Sequence, residues 1–220
     1  MAAKRVYYLT GPNGAGKSTL LESLEGPGIT VIQESLHTMP QWVIDAGRAG
    51  TDPEIQKQAQ RWCLREEIEK NELAKAADTP VVVMDGNLLG VLFFSGIFGN
   101  DVLQDTLTQA HETTDWLAGE IIVVEAPMST LKERYMHREH LSEDQWNDWL
   151  PLMEGLEQYY HALEKYPLVG IHTIQNDQET LSPAMADFHH IIERTEYHPL
   201  DINQFAGNGE GNRLFQGIEH

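Results

Sequence analysis

The pattern with the clearest chemistry covers residues 11–18. Its sequence, GPNGAGKS, fits the spacing G-x-x-x-x-G-K-[ST] and lies between an apolar run, RVYYLT, and a predicted helix that begins at Lys17. Glycines let consecutive backbone N–H groups turn inward around a phosphate, the lysine bridges the β- and γ-phosphates of ATP, and the serine hydroxyl binds Mg²⁺. The spacing therefore predicts a phosphate-binding loop for ATP and Mg²⁺. The residues expected to contact the nucleotide are Gly11, Asn13, Gly14, Ala15, Gly16, Lys17, Ser18 and Thr19.

Two carboxylates stand at the ends of later apolar runs. Glu34 ends the predicted strand ITVIQE, and Asp85 follows VVVM. Because a side chain at the carboxyl end of a parallel strand points into the crevice where α/β proteins bind ligands, both are candidates for the same site as the loop. The simpler interpretations are a solvated strand-end acid for Glu34 and a turn-forming residue for Asp85.

The elements that must hold these residues are short apolar runs separated by helical patterns. The predicted strands are RVYYLT, ITVIQE, VVVMDG, IIVVEA and VGIHTI. Runs such as VVVM and IIVV are apolar without alternation, as in strands of a parallel sheet that helices cover on both faces. The pattern predicts an α/β fold, a three-layer α/β/α sandwich with a five-stranded parallel sheet.

A long polar helix is predicted from Pro53 to Ala77, between the second and third strands. Its signals are the proline near its start and the DTP sequence that follows its end. The charged residues in its middle are interpreted as mostly a solvated face; they are Arg65, Glu66, Glu67, Glu69 and Lys70.

Composition limits the class of protein. The 220 residues carry 34 acidic and 15 basic side chains, a formal charge of -19, which disfavours extended contact with nucleic acid or an anionic membrane. The longest nearly apolar run, 88–98, is well short of the roughly 20 residues that cross a bilayer. The single cysteine, Cys63, suits a reducing compartment. We expect a cytoplasmic protein without a membrane partner, for which nucleic acid is a partner only as a substrate.

The length suits one domain, 1–196, followed by a tail, 197–220. The tail sequence GNGEGN has no helical or strand periodicity, so the tail is expected to be either loose or draped over the surface. The sequence leaves a homodimer open.

The order of these features resembles the deoxynucleoside kinase and thymidylate kinase branch of the P-loop kinases, over roughly residues 4–195. The segment IIVVEAPMSTLKERYMHRE resembles that family's fourth core strand, followed by a helix and a lid with the spacing R-x-x-x-R, here Arg134 and Arg138. The resemblance implies that both arginines close over ATP and stabilise charge on the transferred phosphoryl group. The alternative is surface pairing of these arginines with Glu133 and Glu139.

The resemblance also gives roles to the two carboxylates. It implies that Glu34 accepts the proton of an attacking hydroxyl group and that Asp85 helps to bind Mg²⁺. The chain departs from the family at the residue after each one, because Ser35 stands in place of proline and Gly86 in place of arginine. Either another arginine replaces the missing cation or the acceptor differs from the family norm. The candidate arginines are Arg48, Arg65, Arg134 and Arg138.

Family position assigns base recognition to the long polar helix and the adenine pocket to the segment after the fifth strand. Gln58 and Arg65 are seven residues apart, hence on one helix face, and an amide can both donate and accept at a nucleobase edge. Asn176 and Asp177 would border the adenine.

Together these features predict an ATP-dependent kinase of a nucleoside or nucleotide-like acceptor. A hydroxyl acceptor is favoured, because the chain has few cations between Glu34 and Asn100 to meet an acceptor phosphate. Two alternatives stay open, a kinase of a hydroxymethylated pyrimidine within DNA and a nucleotide-sensing ATPase without a small acceptor. GTPases are excluded because no N/T-K-x-D sequence is present, and AAA-type machines are disfavoured because no length remains for a further helical domain.

Overall fold

The computed structural model describes residues 4–24, 27–35, 37–47, 51–139, 143–164, 170–176, 181–201 and 203. Strands and helices alternate along most of this chain. In chain order the elements are β1 (Arg5–Thr10), α1 (Lys17–Glu22), β2 (Ile29–Ile32), α2 (Gln41–Ala46), α3 (Pro53–Ala76), β3 (Val81–Asp85), α4 (Leu88–Phe98), α5 (Asn100–Thr113), β4 (Glu120–Glu125), α6 (Met128–Glu139), α7 (Glu143–Glu164), β5 (Ile171–Gln175) and α8 (Ser182–Glu193).

The five strands form one parallel sheet in the order β2-β3-β1-β4-β5. Parallel neighbours need crossover connections, which the helices between the strands supply. Strand β1 is central, with Leu9 opposite Asp85 of β3 and also opposite Ile122 of β4. The carboxyl ends of all five strands therefore meet at one edge of the sheet, and the loop after β1 lies at its middle.

Both faces of the sheet are buried. Val6 and Tyr8 face a core that α3, α4, α5 and α7 cover, whereas Tyr7 and Leu9 face a second core with α1, α6 and α8. Burial on both faces explains why the strand sequences are continuously apolar rather than alternating. The predicted three-layer α/β/α sandwich with a five-stranded parallel sheet is confirmed.

Helix α3 begins as predicted but buries different residues. Asp52 caps it by accepting a hydrogen bond from the Glu54 backbone N–H at 2.8 Å. The prediction that the charges at 65–70 are mostly solvated is wrong, because Glu66, Glu67 and Lys70 are buried. Glu67 lies three residues after Leu64, and Lys70 lies four residues before Ala74. Because these spacings are about one helical turn, Glu67 and Lys70 share the inward face of the helix with these two apolar residues.

Helix α4 accounts for the long apolar run at 88–98, which is buried between α3, α5 and the sheet. Asn87 caps this helix, since its side chain accepts from the Gly90 backbone N–H at 3.1 Å. Gly99, with a φ of 125°, separates it from α5. Within the described ranges, none of the helices combines the length and the apolar character needed to cross a membrane.

The segment after α8 packs on the domain. The Tyr197 hydroxyl accepts from the Val6 backbone N–H at 2.9 Å, and Leu200 pairs with Gly119 in an antiparallel bridge. The Asn203 side chain donates to the Trp116 carbonyl at 3.0 Å. Residues 197–201 and 203 are thus draped over the domain, which is one of the two arrangements expected for the tail; residues 204–220 lie outside the described part of the chain.

Candidate functional site

The phosphate loop, residues 11–16, connects the central strand β1 to α1. Gly11 has a φ of 132° and Gly16 a φ of 99°, both in the region that favours glycine. A Cβ atom at Gly11 would collide with the Val124 carbonyl oxygen, and one at Gly16 would collide with the Asn176 side-chain amide. Both glycines are therefore required by backbone conformation and by close approach of neighbouring elements.

Lys17 is buried beneath the loop, with 9% of its surface exposed. Its ammonium group donates to the carbonyl oxygens of Gly11 at 2.9 Å and Pro12 at 3.3 Å. Ser18 and Thr19 are exposed at the start of α1. Phosphate oxygens would compete with the two carbonyls for the ammonium group, so the lysine is held close to where a nucleotide would bind.

A cavity of about 340 Å³ opens above this loop. It brings together most of the residues that the sequence predicts for ATP, and Glu34 as well. Gly11 and Ala15 are buried in the base of the loop rather than in the cavity wall. The lining residues are Asn13, Gly14, Gly16, Lys17, Ser18, Thr19, Glu34, Arg134, Asn176 and Leu181.

Leu181 is a lining residue that the sequence analysis missed. It stands at the N-cap position of α8, and its side chain lies 3.7 Å from where a Gly16 Cβ would be. An apolar residue more than 160 positions from the loop carries no local pattern, so only the fold could reveal it.

Arg134 and Asn176 brace the phosphate loop from the side of β5. The Arg134 guanidinium donates to the Gly14 carbonyl at 3.1 Å and to the Asn176 carbonyl at 3.4 Å. The Asn176 side chain donates to the Ala15 carbonyl at 2.6 Å, and the Asn176 backbone N–H donates to the main-chain carbonyl of Glu125 at 2.7 Å. Arg134 therefore faces the cavity instead of pairing at the surface with Glu133. The Arg138 side chain and Asp177 lie outside the described residues.

Glu34 and Asp85 stand at the exits of β2 and β3. Strand β2 ends at Ile32, two residues earlier than predicted, so Glu34 lies at a bend beyond the strand, exposed in the cavity wall. Asp85 is the last residue of β3 and only 1% exposed, and neither of its carboxylate oxygens has a hydrogen-bond partner among the described residues. Burial raises the pKa of Asp85 to about 6, the nearby Lys17 opposes this rise, and Glu34 adds to it.

These oxygens suit a divalent cation. Mg²⁺ prefers hard oxygen ligands, which the Ser18 hydroxyl in the cavity wall and the Asp85 carboxylate near Lys17 can supply. A buried carboxylate without hydrogen-bond partners is costly unless a cation or proton compensates for it. The residues present therefore fit a magnesium site.

Lys70 and Glu67 of α3 lie beneath the two carboxylate residues, and the sequence analysis missed both. The Lys70 ammonium pairs with a Glu67 carboxylate oxygen at 2.6 Å and donates to the carbonyl oxygens of Asp85 at 2.7 Å and Glu34 at 3.1 Å. Burial raises the pKa of Glu67 to about 6, although Lys70 beside it opposes the rise. The sequence signal that could have revealed them is their spacing of one helical turn from apolar residues of α3, which predicts that they face inward.

Gln58 and Arg65 lie on the opposite, outer face of α3. Both are exposed, and neither is among the described residues that line the cavity. The helix instead turns Gln56 and Gln60 inward, where Gln60 accepts from the Ser95 hydroxyl at 3.2 Å. The two residues predicted to read a base do share one face, but the structure does not bring that face to the cavity.

Two further groups combine imidazole and carboxylate side chains. In each the imidazole already pairs with a carboxylate, at 2.7 Å between His37 and Glu66 and at 3.3 Å between His161 and Glu125. Ion pairing explains both groups without a metal. Their third members are Glu69 and Glu157.

The fold and the loop define a P-loop protein with the architecture of the nucleoside and nucleotide kinases. Residues 6–159 match the family AAA_28, described as an AAA domain, and the chain belongs to this family. The match runs from β1 into α7, so it includes the phosphate loop and four of the five strands. No curated protein sequence matches the chain.

Solved structures share the fold at low sequence identity. The deoxyadenosine kinase from M. mycoides, with products dCMP and dCDP bound, has a TM-score of 0.65 and 15% identity, covering 84% of this chain and 98% of the kinase. The thymidylate kinase from Candida albicans has a TM-score of 0.60 and 11% identity, covering 91% of this chain and 99% of the kinase. These matches confirm the predicted resemblance at the level of the fold.

Proposed function

We propose that this protein is an ATP-dependent kinase that transfers the γ-phosphoryl group to a hydroxyl group of a nucleoside or nucleotide-like acceptor. The observation that carries the proposal is the shared cavity, whose wall holds the phosphate-loop Lys17, the lid Arg134 and the exposed carboxylate Glu34. The two cations suit a polyphosphate, and the exposed carboxylate suits the removal of a proton.

The proposed reaction forms a bond between the acceptor oxygen and the γ-phosphorus and breaks the bond from that phosphorus to the bridging oxygen, which leaves on ADP. The acceptor proton passes to the Glu34 carboxylate. Lys17 and Arg134 hold the phosphates in place and neutralise charge as it moves onto their oxygens. Mg²⁺, held by Ser18 and Asp85, would add further neutralisation of the β- and γ-phosphates.

The charges on the acceptor side favour a hydroxyl group over a phosphate. Glu34 and Asp85 are both acidic, and an incoming monophosphate would add negative charge beside them. Lys70, which donates to the main-chain carbonyls of both residues and pairs with Glu67, is fully buried and has no donor left for an acceptor phosphate. Arg65, considered as a replacement for the missing arginine at 86, is turned to solvent.

Acceptor-dependent release of ADP tests the proposal. Purified protein with Mg²⁺ and ATP would be assayed against nucleosides, nucleoside monophosphates and a DNA duplex that contains hydroxymethylated pyrimidines. We expect a nucleoside to accelerate ADP release and to gain one phosphate by mass. Slow ATP hydrolysis that none of these acceptors changes would contradict the proposal and favour a nucleotide-sensing ATPase; stimulation by the modified duplex alone would assign the acceptor to DNA.

A further inference from the structure

Lys70 connects the exits of β2 and β3 without lining the cavity. Its ammonium group has three N–H donors, and three oxygens accept from it: the Glu34 carbonyl, the Asp85 carbonyl and the Glu67 carboxylate. The side chain is fully buried. All of its hydrogen-bonding capacity is therefore used within the protein, so it is not a contact for an incoming acceptor.

A buried ion pair is an expensive way to stabilise a fold. Apolar side chains of similar volume usually stabilise at least as well, because neither charge must then be removed from water. What apolar side chains cannot do is bind carbonyl oxygens. Two of the three oxygens on Lys70 belong to the main chain of Glu34 and Asp85, the residues whose carboxylates have roles in the proposed reaction.

Gly86 shows how closely Lys70 approaches this edge of the sheet. Gly86 has a φ of 83°, and a Cβ atom there would lie 3.2 Å from the Lys70 nitrogen and 3.3 Å from a Glu67 oxygen. Its backbone N–H donates to the Leu9 carbonyl at 2.8 Å, which holds the turn against the central strand. A side chain at 86 would require the Lys70–Glu67 pair to shift by a few tenths of an ångström and would itself be strained at this positive φ.

We propose that Lys70, with Glu67 as its counter-ion, is a positioning residue that fixes the main chain of Glu34 and Asp85, so that the exits of β2 and β3 keep a constant separation beside the cavity. This inference rests on the proposed kinase function, because the positions of Glu34 and Asp85 affect turnover only if these residues take part in phosphoryl transfer. Glu34 needs such support most, since it lies beyond the last hydrogen-bonded residue of β2.

The test removes both charges at once. Lys70→Met alone would leave Glu67 buried without its partner and is expected to unfold the protein. The double variant Lys70→Met/Glu67→Leu keeps the volume apolar and is expected to fold, as judged by circular dichroism and thermal unfolding. We expect its kcat to fall about 10- to 100-fold, because small displacements of reacting groups have effects of that size, while its KM for ATP changes less than about threefold.

The matched control is Lys75→Met/Glu72→Leu on the same helix. Glu72 and Lys75 have the same three-residue spacing and pair at 2.7 Å, but they are partly exposed and bind Thr114 at the far end of α3. We expect its kcat to be unchanged. A folded Lys70→Met/Glu67→Leu protein with a kcat within about twofold of the parent would overturn the inference and make the pair purely structural.

Amide hydrogen exchange separates this inference from the proposed function. We expect the amides of residues 33–35 and of Gly86 to exchange at least about tenfold faster in Lys70→Met/Glu67→Leu than in the parent, with the rest of the sheet unchanged. If no acceptor stimulates the parent, the proposed function fails, and this exchange measurement still decides whether Lys70 anchors the two exits. Unchanged exchange at these amides would contradict the anchoring itself.

Discussion

The phosphate loop and the exits of β2 and β3, which in the proposed reaction are the donor side and the acceptor side of the site, are built in different ways. On the donor side, Lys17 bonds to carbonyls only five and six residues earlier, inside one continuous loop. On the acceptor side, Lys70 reaches carbonyls 36 and 15 residues away, at Glu34 and Asp85. The first is a local structure formed by one stretch of sequence, and the second exists only after the sheet and α3 have assembled.

This difference has consequences for specificity. A phosphate loop that depends on local glycines is independent of the rest of the domain, and in the proposed reaction it binds the triphosphate, the part of the substrates that does not change with the acceptor. The acceptor side depends on packing of α3 against two strands, and a change in that helix would move both carboxylates together. We therefore expect donor-side substitutions to affect ATP chemistry with any acceptor, and acceptor-side substitutions to depend on the acceptor.

The largest expected effect is on the donor side. Lys17→Ala should reduce transfer about 10³-fold, because the ammonium group neutralises charge that develops on the phosphate oxygens. The measurement is kcat with ATP and the preferred acceptor, alongside thermal unfolding. The control is Lys132→Ala, since Lys132 is an exposed cation on α6 that pairs with Glu143 at 2.8 Å. Near-normal turnover of a folded Lys17→Ala protein would contradict the loop's role.

The next effect is on the acceptor side. Glu34→Gln should lower kcat about 10²-fold and leave ATP affinity unchanged, because the amide cannot take up the proton of the attacking hydroxyl. The effect should be seen only with hydroxyl acceptors, since a monophosphate already presents an anionic oxygen. If Glu34→Gln retains most of its kcat, or if the preferred acceptor is a nucleoside monophosphate, the assignment of Glu34 as the base is wrong.

The contrast between local structure and tertiary packing also explains which features the sequence could predict. The five strands, their parallel arrangement and the loop residues were predicted, because strands are continuous apolar runs and the loop is a contiguous motif. Gln58 and Arg65 were placed by spacing on one face of α3, but spacing cannot tell which face turns inward. That face is selected by packing against β2 and β3, which buries Glu67 and Lys70. Leu181 reaches the cavity through tertiary structure alone.

A third prediction concerns stability and the buried Asp85. Its pKa is raised from 3.8 to about 6, so the folded state favours the protonated form, and the ionised form destabilises the protein as pH rises through this interval. Asp85→Asn removes that penalty. We expect it to increase the free energy of unfolding by about 3 kcal/mol at pH 7.5 and about 1 kcal/mol at pH 4.5, in urea titrations without Mg²⁺, while abolishing transfer.

Asp105 provides the opposite sign as a control. The Arg61 guanidinium, which donates to its carboxylate at 2.7 and 2.9 Å, lowers the pKa of Asp105, so its ionised form stabilises the folded state at neutral pH. Asp105→Asn should therefore be destabilising at pH 7.5 and less so at pH 4.5. If Asp85→Asn changed the free energy of unfolding with the same sign and pH trend as Asp105→Asn, the ionised Asp85 carboxylate would not destabilise the folded state.

The smallest expected effect comes from a change that keeps the charge of the donor side and alters only its geometry. Arg134 donates to the carbonyls of Gly14 and Asn176 at once, and a lysine there would keep the positive charge but lose this two-armed contact. We expect Arg134→Lys to lower kcat about tenfold and to change the KM for ATP by less than about threefold, because the arginine acts mainly on charge that appears during transfer.

Arg61→Lys is the control, since Arg61 makes a similar two-armed contact remote from the cavity and its replacement should leave kcat unchanged. A change confined to the KM for ATP would make Arg134 a ground-state anchor of the nucleotide. Arg134 would then help to bind ATP without contributing to transfer, and the donor-side contribution to the rate would come from Lys17.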